Sequence, residues 1–147
     1  MATAPRILIV TSRYYAQITA ELEASVAEGL EKVGATYEFL EVPGAFEIPG
    51  AISMAASTGE WDGFVALGCV LRGETSHYDL ITNHVARGLM ELSISGVPLG
   101  FGVLTCENEG QARIRADRKQ KNKGAEVVAA VLRMVGLSYR FNKGAEE

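Results

Sequence analysis

The chain has 147 residues, 48% of them hydrophobic, and a formal net charge of −4 at pH 7. That length suits one domain with a real core, and the balance of apolar and charged residues excludes a disordered chain. No apolar run reaches membrane-spanning length, and the start M-A-T-A-P-R-I-L-I-V lacks the pattern of a signal peptide, so a cytoplasmic protein with no membrane partner is expected.

Arg6 to Thr11 is a short β-rich run, followed by the polar turn S-R-Y-Y and a helix-period segment from about Ile18 to Val33 that carries Leu22, Val26 and Leu30 inward. Gly34 ends that helix, and Thr36 to Val42 reads as a second strand, broken by Pro43-Gly44. Pro49 permits a helix start, with Ile52, Met54 and Ala55 on or near its buried side, until Gly59 stops it. Phe64 to Leu71 is almost entirely apolar, which is how a strand buried on both faces of a parallel sheet reads. Gly73 then allows a tight turn, and Thr75 or Ser76 can cap a helix running through Ala86, Leu89 and Met90. Leu99 to Thr105 is a fourth strand, Glu107 and Asn108 open a basic helix to about Ala116, and Asn122 to Arg140 is a last helix with Val127, Val128, Val131, Leu132 and Val135 as its stripe. Phe141 to Glu147 reads as a frayed tail.

Four β-α units in sequence predict an α/β three-layer sandwich: a four-stranded parallel sheet with helices on both faces, flavodoxin-like, forming a single domain over 1–147. Such sheets place functional groups beyond the carboxyl ends of their strands. Those ends here carry Arg13-Tyr14-Tyr15, Pro43 to Glu47, Arg72 to His77, and Thr105 to Asn108. Aromatic rings, a glycine turn, a histidine and a helix N-terminus suit a planar heterocycle beside a phosphate ester.

The stretch from Gly68 to Thr75 nearly spells a P-loop, but Glu74 stands where that motif needs lysine, which argues against nucleotide hydrolysis. An ordinary strand-to-helix connection has the same appearance. Cys69 and Cys106 read as reduced core or near-core thiols, and two Cys and two His without ligand spacing argue against a metal. Between Arg113 and Lys123, six cations face one acid, a local +5 that leaves −9 on the remainder. Without interleaved aromatics this is a solvated face or an anion-binding arm rather than a nucleic-acid patch.

Four blocks in order resemble lumazine synthase: V-P-G-A-F-E-I-P from Val42, G-x-V-x-R-G-E-T-S-H-Y-D from Gly68, G-V-P-x-x-F-G-V-L-T-x-E-N from Gly96, and N-K-G from Asn122. The resemblance implies a transferase that condenses 5-amino-6-ribitylaminouracil with 3,4-dihydroxy-2-butanone 4-phosphate, the penultimate step of riboflavin biosynthesis. It implies no cofactor, and a homopentamer with sites between neighbouring subunits. A sixty-subunit capsid and association with riboflavin synthase stay open. The matching positions imply that Tyr14, Ala45, Phe46, Glu47, Cys69, Val70 and Leu71 hold the pyrimidine and its ribityl chain, and that Glu74 and Thr75 form the phosphate turn. His77 is then the catalytic proton-transfer residue. Phe101, Arg115 and Lys123 would come from the adjoining subunit, with Arg115 on the phosphate.

Imidazole suits a reaction that moves protons near neutral pH, and a helix-start histidine with only local hydrogen bonds is the lesser alternative. Phe46 and Phe101 are placed at strand ends, His84 is read as structural or interfacial, and Trp61 as a surface or interface aromatic. Two departures from the family pattern stand out: Tyr15, where many members carry a polar residue, and D-R-K-Q-K at Asp117 to Lys121, where capsid-forming members usually show glycines. A non-catalytic flavin- or lumazine-binding module is the alternative reading.

Overall fold

The computed structural model describes residues 4–73 and 77–146, with side chains to 142. Four parallel strands, β1 (Arg6–Ser12), β2 (Thr36–Val42), β3 (Gly63–Leu71) and β4 (Leu99–Cys106), form one sheet in the order β2-β1-β3-β4. The helices are α1 (Ala16–Lys32), α2 (Ile48–Ala56), α3 (His77–Ile94), α4 (Glu109–Ala116) and α5 (Lys123–Glu146), with a single tight turn at Ala45–Glu47 ahead of α2.

Side-chain alternation on the central strands sorts the helices into layers. Ile7, Ile9, Val65 and Leu67 face one core shared with Leu22, Val26 and Leu30 of α1 and Val127, Val131 and Val135 of α5. Leu8, Val10, Phe64 and Ala66 face the other, shared with Ile48 and Ile52 of α2 and Val85 and Leu89 of α3. β3 is buried along nearly its whole length, so its continuous apolar run has a physical cause: water reaches neither face. Truncating a fully buried strand residue such as Leu67 to alanine costs about 2–5 kcal/mol.

Glycines on β4 let α5 come close. A Cβ built on Gly100 would lie 2.8 Å from the Val127 carbonyl oxygen, so only hydrogen fits there.

Two sequence expectations are corrected. Met54 is 72% exposed, because α2 is short and buries only Ile48 and Ile52. The expected frayed tail is helical, since α5 runs on to Glu146, extension of an existing helix being far easier than starting one. Cys69 and Cys106 are both buried and free, as expected. Trp61 is half-buried, packing against the second core while Arg6 lies 4.8 Å over its ring. Among the described residues, no helix is long and apolar enough to cross a membrane, and no group of acidic, His and Cys side chains could hold a metal.

Candidate active site

The strand order reverses between β1 and β3, and the chain leaves their carboxyl ends toward opposite faces, which opens a crevice. A cleft of about 580 Å³ occupies it. Ser12, Tyr14 and Tyr15 enter from the end of β1, Gly44 to Glu47 from the turn after β2, Cys69 to Leu71 from the end of β3, and Gly73, His77, Tyr78 and Ile81 from the start of α3. Eight of the residues expected at the site therefore share one space: Tyr14, Ala45, Phe46, Glu47, Cys69, Val70, Leu71 and His77.

The cleft wall is aromatic and largely exposed. Tyr14 is 78% exposed and Phe46 53%, and such open ring faces fit a planar ligand. Tyr15 stands edge-on to Tyr14 with centroids 5.0 Å apart, its own body packed on the first core. Burial, reinforced by Tyr14, raises the Tyr15 phenol above its ordinary value, so it stays protonated. Burial also pushes the Cys69 thiol up to about 12, which makes it a neutral lining group rather than a nucleophile.

Arg72, just after β3, is held from two sides. Arg72 ion-pairs with Glu107 after β4 at 3.0 Å and with Asp79 in the first turn of α3 at 3.6 Å. Glu74 and Thr75, expected to form the phosphate turn, lie outside the described residues.

Phe101, Arg115 and Lys123 do not line this cleft. Phe101 is the third residue of β4, paired with Ala66, which corrects its expected place: it lies toward the amino end of the strand, away from the crevice. It is 41% exposed. The basic run also sorts itself. Arg118 is taken up by Glu21 at 2.7 Å and Glu28 at 3.3 Å, and that hydrogen bond holds the Glu21 carboxyl below its usual range. Arg113 reaches Gln17 and Glu109, and Lys123 reaches Glu126. Arg115 donates to the Gln111 carbonyl oxygen and lies against the Cys106 thiol, and among the described residues it meets no carboxylate. Its charge is thus available to an anion.

Tyr78 and Ile81 were not foreseen as lining residues. Ile81 sits one helical turn after His77, and that spacing is the signal that could have found it. His84, two turns on, lies in a separate hollow with Phe46, Pro49 and Arg87.

Residues 4–138 match the family model described as 6,7-dimethyl-8-ribityllumazine synthase. The chain belongs to the lumazine synthase family. It is 47% identical over 136 residues to the 6,7-dimethyl-8-ribityllumazine synthase of Erythrobacter litoralis, covering 92% of this chain and 97% of that one. It is 44% identical over 138 residues to that of Sphingopyxis alaskensis, covering 94% and 98%, and 45% identical over 140 residues to that of Bartonella bacilliformis, covering 93% and 92%. The four-stranded parallel sheet with helices on both faces is consistent with lumazine synthase.

Proposed function

We propose that this chain, as a single domain, condenses 5-amino-6-ribitylaminouracil with 3,4-dihydroxy-2-butanone 4-phosphate to give 6,7-dimethyl-8-ribityllumazine, phosphate and water. The observation that carries this reading is the convergence of eight family-matched residues in one aromatic-walled cleft beside a helix start. The pyrimidine lies against Tyr14, its ribityl chain runs along Ala45, Phe46 and Glu47, and Cys69, Val70 and Leu71 border the ring. The steps are amine attack on the ketone, imine formation, loss of phosphate and ring closure, and His77 moves protons between them. Much of the acceleration comes from holding two reactants in one orientation.

The phosphate needs a forked donor, and Arg115 has the chemistry and, among the described residues, no carboxylate partner. It lies outside its own chain's cleft, as does Phe101, so both act on the cleft of an adjoining subunit, with Lys123 in support. The active form is therefore a homo-oligomer, a pentamer, working in the cytoplasm. The segment Asp117 to Lys121 has charged residues in place of glycines and so less conformational freedom, which favours a free pentamer over a capsid. Incubation of the purified chain with both substrates tests the activity: lumazine absorbance and free phosphate should rise together, and tight flavin binding without turnover would favour a non-catalytic binding module instead. Mass measurement in solution tests the assembly, since a fully active monomer would overturn the shared site.

A further inference from the structure

Tyr14 is the most exposed ring at the cleft, and its side chain has only the edge-on contact with Tyr15 among the described residues. What is fixed is the turn beneath it. Arg13, the preceding residue, grips Glu23 of α1 at two points: Nε donates to Oε2 and Nη2 donates to Oε1, each at 2.9 Å. Planar guanidinium against planar carboxylate sets direction as well as distance, so the pair fixes the peptide that leads into Tyr14. Glu23 is itself immobilised, with its side chain 13% exposed and Oε2 also accepting from Thr11 Oγ1 at 2.9 Å, on a residue wholly buried in β1. A second strap runs parallel to it, where Thr19 Oγ1 of α1 donates to the Ser12 carbonyl oxygen at 3.1 Å. Arg13 also reaches Glu41 at the end of β2, at 3.4 Å and with the carboxylate more exposed. The strand ends that frame the cleft are thus joined through one guanidinium.

We propose that Glu23 is a positioning residue for the heterocyclic substrate: its two-point clasp of Arg13 sets the turn that presents Tyr14 to the cleft before the ring arrives. The proposal rests on the reading of Tyr14 as the ring's partner. A ring wall held in place loses little freedom on binding, whereas a loose one must be ordered by the substrate at the expense of affinity. Glu23 acts at a distance from the reacting atoms, so its removal changes how well the pyrimidine binds and leaves the phosphate-bearing substrate to its own ligands.

Steady-state kinetics with each substrate varied in turn tests this in Glu23→Gln, Arg13→Gln, the double variant and Tyr14→Ala. Arg13 is 40% exposed, so its substitution keeps the test open if loss of Glu23 harms folding. The pyrimidine KM should rise about 5- to 20-fold in each single clasp variant, with the KM for the butanone phosphate within about twofold, and the double variant should be no worse than the singles because both break one interaction. An unchanged pyrimidine KM in Glu23→Gln, both KM values rising together, or additive effects in the double variant would overturn the proposal while Tyr14→Ala still raises the pyrimidine KM. If Tyr14→Ala leaves that KM unchanged, the reading of the cleft itself fails and the proposal with it.

Discussion

The guanidinium of Arg72 lies 4.4 Å over the ring of Tyr78, one residue beyond His77. With its ion pairs to Asp79 and Glu107, it joins the end of β3, the first turn of α3 and the end of β4 at the rim of the cleft. These charges are half-exposed, and exposed ion pairs contribute only about 0–1 kcal/mol each. Arg72→Met should therefore lower the melting midpoint by no more than about 8 °C. It should reduce kcat/KM for the butanone phosphate about 10-fold or more, because the first turn of α3, which carries His77, loses its tie to the end of β3. Parallel melting and kinetic measurements check the separation, and a loss of stability without a loss of catalysis would count against it.

His77→Ala is expected to slow turnover by roughly 10-fold to 10⁴-fold, the usual scale for general acid–base groups. The lower end is expected, since positioning of the two substrates persists without the imidazole. Turnover at saturating concentrations of both substrates is the measurement, and an unchanged value would remove His77 from the chemistry.

Arg115→Lys keeps the charge and loses the fork. Use of the phosphate-bearing substrate should weaken by about 1.5–3 kcal/mol, with the pyrimidine KM nearly unaltered. Arg113→Lys and Arg118→Lys serve as controls, because Arg113 bonds to Gln17 and Arg118 to Glu21. Equal small effects at all three positions would show the run to be only a solvated basic face.

Cys69 gives a pH signature. Its folded thiol is raised to about 12 by burial, with Cys106 and Glu109 adding to the effect, whereas an unfolded chain ionises near about 8.5. The unfolded state therefore loses its proton first as pH rises. The stability that goes with the protonated thiol is intact below about pH 8.5 and is lost progressively toward pH 12. At pH 8 the folded thiol should alkylate about 10³-fold more slowly than a free cysteine, since only the thiolate reacts. Mass-resolved iodoacetamide labelling checks this, and labelling at the free rate would contradict it. The Cys106 thiol is also raised by burial, with Arg115 opposing the rise, so Arg115→Gln should slow labelling of Cys106 further.

Much of this was legible in the residues themselves. β3 announced itself because a strand covered on both faces must be apolar throughout, and α5 did so through valines at helical spacing. Met54 was misplaced because a nine-residue helix offers too few turns to define a face. The helical course of residues 141–146 left no apolar stripe to read. At the cleft, the residues in contiguous motifs were visible, whereas the Arg13 clasp of Glu23 depends on where the end of β1 meets the second turn of α1, which no local pattern encodes. The division of the basic run was hidden for the same reason: Arg118 is neutralised by Glu21, a residue 97 positions away, and Arg115 is not.

Mixing two defective chains tests most directly the proposed completion of the cleft by a neighbour's Arg115. His77→Ala and Arg115→Ala are each expected to keep about a tenth of wild-type activity or less alone. Dissociated, mixed in equal amounts and reassembled, they should recover about a quarter of wild-type activity, because about one interface in four then pairs an intact His77 with an intact Arg115 from the adjoining subunit. A mixture no more active than the two variants apart, despite demonstrated subunit exchange, would contradict the account.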